Sequence, residues 1–154
     1  MTIEDDIAFF ERVPTLSILG RQALRILAIG AETRYIHGGE VLFTAGDEAE
    51  GAFVIQEGRF SLVASEDAQD VTVGPFTLLG EVALFTETKR PITATALEPS
   101  TVIRVPRSLF LKMLEGFPDA ARRLRDHIAA RTNQAANDMI NMRATLDPRS
   151  GGKR

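Results

Sequence analysis

The sequence has no cysteine and only two histidines, His37 and His127, among its 154 residues. The absence of cysteine excludes disulfides, thiolate metal sites and thiol nucleophiles, and it is compatible with a reducing interior. The two histidines are too far apart in the chain for a local metal motif. We therefore expect no bound metal and no group placed to activate water, which argues against an enzyme such as a nucleotide hydrolase.

The sequence also has no excess of basic residues and no long run of apolar residues. The formal net charge is −3 and the isoelectric point is near 5.4, so charge gives no argument for a nucleic-acid footprint. Residues 1–6 are acidic, with no long apolar run behind them, which supports neither a signal peptide nor a membrane span. We expect a cytoplasmic protein with no membrane partner.

The length suits one domain, and the hydrophobic period along it changes twice, from helical to strand-like and back. Short β-prone segments in the middle are separated by turn residues, at the spacing of a sandwich or barrel. The predicted strands are residues 34–37, 41–43, 51–56, 60–64, 71–73, 94–97 and 101–105. We predict a single domain over residues 1–143, with N-terminal helices (1–30), a β-roll (33–106), C-terminal helices (107–143) and a disordered tail (144–154).

The most informative segment is residues 80–92, called the cassette below. Gly80 lets backbone N–H groups approach an anion, and the start of a short helix after it adds unpaired amides and a favourable dipole end. Arg90 can hold a phosphate with a forked pair of hydrogen bonds. Ionised Glu81 only accepts hydrogen bonds, so it suits a ribose hydroxyl and not the phosphate. The segment indicates a small ligand with a sugar at one end and a phosphate at the other.

Further glycine-bearing blocks precede the cassette: residues 39–43, Gly46 with Asp47, and residues 52–58. In order and spacing, these blocks and the cassette resemble the cyclic nucleotide-binding domains of catabolite-activator-type bacterial regulators, cyclic-nucleotide-dependent kinases and cyclic-nucleotide-gated channels. The resemblance covers roughly residues 7–143. It implies an α+β fold, an antiparallel β jelly-roll barrel flanked by N-terminal helices and two C-terminal helices, the last one long. It also implies a cyclic nucleotide ligand, with cyclic AMP favoured over cyclic GMP.

The site residues follow from this resemblance one at a time. Glu81 matches the family's carboxylate for the ribose 2′-hydroxyl; taken alone, it could equally be a helix-terminal acid that contributes about 1 kcal/mol or less. Arg90 matches the phosphate arginine; the alternative is a surface ion pair with Glu87, worth about 0–1 kcal/mol. The predicted ligand contacts are Gly80, Glu81, the backbone amides of Val82 and Ala83, Arg90, Pro91 and Ile92.

Two features depart from the family pattern. The residue after the arginine commonly offers its backbone N–H to the phosphate, and Pro91 has none. The loss would cost about 1.5–3 kcal/mol unless Thr93 or Lys89 compensates. Where catabolite-activator-type relatives meet the base with hydroxyl side chains, this chain has Ala135 and Ala136. Adenine and guanine are therefore both left open.

The last predicted helix, from Asp119 to about Arg143, carries a narrow stripe of apolar and small residues. Such a seam favours close helix pairing, so we predict a symmetric homodimer through it. The alternative is that the stripe packs back on the barrel. Family members that regulate transcription carry a helix-turn-helix domain after this helix, and this sequence has none, so we expect no direct DNA binding. The stripe consists of Leu124, Ile128, Ala135, Met139 and Met142.

Besides the enzyme, which the sequence disfavours, two hypotheses about function remain. In the first, a cyclic nucleotide favours one arrangement of residues 107–142, which an unidentified output protein reads. In the second, a degenerate domain keeps the barrel and the dimer helix without the ligand and serves as an interaction scaffold. The substitution Arg90→Ala separates them, because it should abolish nucleotide binding only under the first hypothesis.

Overall fold

Two short helices open the chain in the computed structural model, which describes residues 2–65, 67 and 69–131. Helix α1 (Ile3–Phe10) and helix α2 (Arg21–Gly30) are separated by a 3-10 turn (Leu16–Ile18). Thr2 caps α1 reciprocally with Asp5, since each side chain accepts a hydrogen bond from the other residue's backbone N–H. The predicted N-terminal helices are thus present.

Antiparallel strands form the middle of the chain. The strands are β1 (Glu32–Ile36), β2 (Val41–Phe43), β3 (Glu48–Ala49), β4 (Gly51–Glu57), β5 (Phe60–Val63), β6 (Val71–Val73), β7 (Leu78–Leu79), β8 (Thr88–Lys89), β9 (Thr93–Ala96) and β10 (Ser100–Pro106). They are ordered β1-β10-β4-β7 in one sheet and β2-β9-β5-β6 in a second, with β3 and β8 forming a short ribbon. The predicted jelly roll is confirmed as two packed sheets and a ribbon, and not as a closed barrel.

Two hydrophobic cores lie on opposite faces of the sheet that contains β4. Successive side chains of a strand point to opposite faces, so Phe53 and Ile55 enter one core while Val54 enters the other. We call the core between the sheets the barrel core; it contains Ile36, Phe43, Phe53, Ile55, Phe60, Leu79, Ala94, Ala96 and Val102. The helix core, on the outer face, includes Phe10, Leu16, Leu24, Leu27, Val54, Leu84, Ile103, Phe110, Met113 and Leu124.

The C-terminal helices close the helix core. Helix α3 (Arg107–Gly116) buries Phe110 and Met113, and a second helix, α4, covers residues 118–131. Leu124 is buried in the helix core and Ile128 packs against it, so the first two residues of the predicted dimer stripe pack on the domain itself. The other three, Ala135, Met139 and Met142, lie outside the described residues, and the homodimer stays a prediction.

Within the described part of the chain, no helix combines the length and apolar character needed to cross a bilayer.

Candidate functional site

The short helix expected after Gly80 forms as a 3-10 helix, Glu81–Leu84, which we call the cassette helix. Gly80 has a φ of 84°, a left-handed conformation that favours glycine. Leu84 is fully buried in the helix core and anchors the turn, whereas Val82 is 59% exposed. The Ala83 N–H donates to the Gly80 carbonyl at 3.0 Å, so this amide, predicted to face a ligand, is engaged within the turn.

Arg90 lies directly against Gly80. The left-handed backbone favours glycine at position 80, and a Cβ atom there would also displace Arg90 Nη1 from its present place. The loop before β3 holds the backbone of Arg90 from both sides. The Arg90 N–H donates to the Asp47 carbonyl, and the Arg90 carbonyl accepts from the Gly46 N–H, each at 2.8 Å. The glycine block around position 46 therefore positions the arginine of the cassette.

The Arg90 side chain is buried and forms no ion pair with another residue that the structure describes. It is 7% exposed, and its guanidinium carbon lies 4.4 Å from the ring centroid of Phe43 and 5.6 Å from that of Phe53. Nη1 is buried and has no hydrogen-bond partner among the described residues. Burial lowers the pKa of Arg90, and the nearby charge of Asp47 opposes that effect. The predicted alternative, a surface ion pair with Glu87, does not form.

A cavity of about 210 Å³ adjoins this arginine, lined by Leu42, Phe43, Asp47, Glu48, Glu50, Gly51, Phe53, Arg90 and Arg104. Arg104 differs from Arg90 because carboxylates compensate its charge, with Glu50 at 3.5 Å and Glu32 at 3.8 Å. Among the described side chains that line this cavity, the buried donor without a partner is Arg90 Nη1. Phe43 and Phe53, which support its side chain, lie in the glycine blocks of the sequence but were not predicted as site residues.

Glu81 does not line this cavity. Its two carboxylate oxygens each accept from Arg131 Nη1 at 2.8 Å, and one also accepts a short hydrogen bond from the Thr15 hydroxyl. Together with Leu78 these residues line a second cavity of about 460 Å³. Leu78 packs on the helix core whereas Leu79 belongs to the barrel core. The side chains of Glu81 and Arg90 thus line different cavities.

The second cavity also contains unusual backbone. Thr15, with φ 79°, and Phe76, with φ 71°, are the non-glycine residues of positive φ in the described chain, and both line it. Such conformations cost about 1–3 kcal/mol each and need support from their surroundings. The Phe76 ring stacks on Phe9 at 4.8 Å between centroids, and the Arg12 guanidinium lies 4.0 Å from it. The N-terminal helix therefore stabilises the turn that leads into the cassette.

The residues after Arg90 divide between surface and interior. Pro91 is exposed, and Ile92 is half-buried against the barrel core, where a ligand between the sheets would meet it. The Thr93 hydroxyl oxygen accepts a hydrogen bond from the Ala45 N–H at 2.9 Å, which leaves its own O–H as a donor. Lys89 is exposed on β8. Of the two groups predicted to replace the N–H that Pro91 lacks, Thr93 is half-buried and keeps a donor, whereas Lys89 is exposed.

Arg107, the first residue of α3, ties the cassette helix to the C-terminal helices. Its Nη1 donates to the carbonyls of Ala49 at 2.9 Å and of Ala83 and Thr86 at 3.1 Å each. Beside it, the rings of Phe85 and Phe110 meet edge-on, with centroids 5.5 Å apart. This joint was not predicted, because nothing in the local sequence distinguishes Arg107 from other helix-terminal arginines.

Fold and site together define a helix-flanked jelly-roll domain with a buried arginine beside the glycine turn at position 80. Comparisons with known proteins identify the same class of domain. The family model of the cyclic nucleotide-binding domain matches residues 33–117. The structure of a cyclic nucleotide-binding-like protein from Brucella abortus is 38% identical, covering 72% of this chain and 98% of that one, with a TM-score of 0.63. The chain belongs to the cyclic nucleotide-binding domain family.

Two further comparisons extend this result. The N-terminal domain of a transcriptional regulator from Streptomyces coelicolor is 26% identical, covers 85% of this chain and 94% of that one, and has a TM-score of 0.77. Lysophospholipase NTE1 of Chaetomium globosum is 29% identical over 118 residues, or 73% of this chain. This chain spans only 8% of the length of that lysophospholipase. The similarity therefore concerns a small part of that lysophospholipase and does not extend to the rest of it.

Proposed function

We propose that the chain is a regulatory module that binds a cyclic nucleotide, with the phosphate at Arg90 and the ribose 2′-hydroxyl at Glu81. The observation that carries this proposal is the buried Arg90 side chain, 7% exposed and with an unpartnered Nη1. Burial of a charge without a partner costs free energy, and an anionic ligand would offset that cost. A scaffold without a ligand gives no reason to keep such a side chain.

The charge of the site favours a cyclic phosphate over an open one. Arg90 brings a positive charge without a described ion pair, whereas Arg104 on the same cavity is paired with Glu50. Asp47 and Glu48 add negative charge to the lining. A cyclic phosphodiester carries one negative charge, whereas a 5′-monophosphate carries about 1.5–2 at neutral pH. The second charge would meet the carboxylates without a cation to balance it. We therefore expect discrimination against 5′-AMP.

The base is less constrained than the phosphate. Thr93 has a free O–H donor, and Ala135 and Ala136, where the family's base contacts fall, lie outside the described residues. We propose cyclic AMP as the preferred ligand, as the resemblance implies, and cyclic GMP as its competitor. A direct comparison of the two nucleotides decides the preference.

The output passes through the C-terminal helices in this proposal. Arg107 and the Phe85–Phe110 contact connect the cassette helix to α3, and α4 follows α3 directly. A ligand that shifts the cassette helix would therefore shift the helices joined to it. In this proposal an unidentified output protein recognises the shifted helices. A homodimer formed through the last helix is the other partner that could respond to the shift.

Calorimetry with cyclic AMP, cyclic GMP and 5′-AMP tests the proposal. We expect the wild-type chain to bind at least one cyclic nucleotide with micromolar or tighter affinity, and 5′-AMP much more weakly. Arg90→Ala should weaken binding by about 30-fold or more, because it removes charge-assisted hydrogen bonds to the phosphate. Arg59→Ala is the matched control, since Arg59 is 61% exposed and pairs with Glu98 on the surface.

Circular dichroism of both variants shows whether the fold is intact. Wild-type protein that releases no heat at millimolar cyclic nucleotide would overturn the proposal and leave the scaffold as the function. Equal binding by the wild type and a folded Arg90→Ala variant would remove Arg90 from the site.

A further inference from the structure

Glu81 is held by contacts that a ribose would have to replace. Its side chain is 24% exposed, and its carboxylate accepts hydrogen bonds from the Thr15 hydroxyl and from Arg131 on α4. Thr15 itself is only 4% exposed. The three residues link the N-terminal segment, the cassette and the last helix at a single carboxylate. We call this three-residue contact the latch.

We propose that the latch is autoinhibitory: Arg131 and Thr15 compete with the ribose 2′-hydroxyl of the ligand for Glu81, so that binding releases the end of α4. The inference rests on the proposed function, since it assumes that a nucleotide places its phosphate at Arg90. It goes further by assigning a regulatory role to two residues outside the cassette.

A ribose would have to compete with the latch for Glu81. Glu81 lines one cavity and Arg90 lines another. Both carboxylate oxygens of Glu81 accept from Arg131, and one also accepts from the Thr15 hydroxyl. A ribose hydroxyl that donates to Glu81 therefore competes with these donors, since the carboxylate has a limited number of acceptor sites.

The latch acts on one end of α4 and not on the other. Near the start of the helix, Arg123 donates to the carbonyls of Ile18 and Leu19, each at 2.8 Å. That attachment does not involve the cassette, so a ligand leaves it in place. Arg131, at the end of the described part of α4, is attached to the cassette itself. Release of Glu81 is thus expected to loosen the end of the helix while its start stays fixed.

Substituting Arg131 and varying the ligand's 2′-hydroxyl tests this competition. The probes are cyclic AMP and 2′-deoxy cyclic AMP, titrated into the wild type, Arg131→Gln and Arg122→Gln. Arg122 is the matched control because it lies on the same helix, is 60% exposed and pairs with Asp119 instead of Glu81. Arg131→Gln should bind cyclic AMP about 3- to 10-fold tighter, the range expected from losing a partly exposed ion pair to a competing state.

The 2′-deoxy ligand makes the test specific. It cannot use Glu81, so its affinity should be the same, within about twofold, for the wild type and Arg131→Gln. Arg122→Gln should match the wild type with both ligands. Thr15→Val, which keeps the side-chain shape and removes the hydroxyl, should repeat the Arg131→Gln pattern.

Hydrogen exchange provides a second readout on α4. In nucleotide-free Arg131→Gln, the amides near residue 131 should exchange faster than in the wild type, while those near Arg123 should not change. Saturating cyclic AMP should produce the same pattern in the wild type. Slower or unchanged exchange near residue 131 in the variant would show that the latch does not hold the helix end.

Three binding results would overturn the inference. Unchanged cyclic AMP affinity in Arg131→Gln, with clear binding by the wild type, would refute the latch and leave the proposed function standing. Weaker binding would show that Arg131 assists the ligand, and an equal gain for both ligands would show that it only restricts access. A lack of binding by the wild type and all variants would instead remove the proposed function together with the inference.

Discussion

The helix core and the barrel core differ in what they enclose, although β4 and β10 contribute to both. The helix core is formed by fully buried apolar side chains such as Phe10, Leu24 and Phe110. Beside the barrel core lies Arg90, which among the described residues is the one charged side chain that is buried. Both cores bury apolar side chains, but the barrel core also borders a buried charge, whose desolvation costs free energy.

The strongest way to sharpen this contrast is to damage the helix core alone. Phe110→Ala removes a ring with no exposed surface that packs edge-on against Phe85, so we expect a loss of about 3–5 kcal/mol in the free energy of unfolding. Urea denaturation measures it. Leu111→Ala is the control on the same helix, because Leu111 is 40% exposed and should change stability far less. A similar loss for both variants would mean that burial of the Phe110 ring in the helix core is not the cause of the loss.

The barrel core should respond in the opposite direction. Arg90→Met keeps a flexible chain against the rings of Phe43 and Phe53 and removes the buried charge. We expect the nucleotide-free protein to gain about 1–3 kcal/mol while cyclic nucleotide binding is lost. Thermal and urea unfolding without nucleotide measure the gain, with Arg59→Met as the surface control. Clear destabilisation by Arg90→Met would identify Arg90 as a structural residue and remove the contrast between the two cores.

The joint at Arg107, between the cassette helix and α3, should give an effect on stability no larger than that of Arg90→Met. Arg107→Gln removes a nitrogen that serves three carbonyls, of Ala49, Ala83 and Thr86, and should cost about 1–3 kcal/mol. It should also reduce the change in hydrogen exchange of α3 that cyclic nucleotide produces in the wild type. Lys112→Gln, an exposed position on the same helix, is the control. An undiminished ligand response in Arg107→Gln would show that the signal bypasses this residue.

The sequence predicted the longer strands well because their patterns are local. Strands β2 and β6 match the predicted residues 41–43 and 71–73, and most other strand ends differ by one or two positions. The two-residue strands β3, β7 and β8 were missed, since so short a segment shows no alternation of polar and apolar residues. They exist because of their partners across the sheet, and a single sequence does not reveal such long-range pairings.

The candidate site shows the same limit. The positions of Gly80, the short helix and Arg90 could be anticipated, because these groups are close in sequence and their chemistry is specific. The partners of Glu81 could not: Thr15 is 66 residues away along the chain and Arg131 is 50. Neither stands in a motif, and only the packing of the helices against the sheet brings them to the carboxylate.

The close approach of Gly80 and Arg90 constrains the order in which descendants of this domain can change. While Arg90 is present, a side chain at position 80 would overlap its Nη1, so the glycine cannot be replaced first without displacing the arginine. Once the arginine is lost, the left-handed backbone still favours glycine or asparagine, but the space is open. A lineage that abandons the anion would therefore lose the arginine before the glycine, and a relative with glycine but no arginine at these positions would mark the intermediate step.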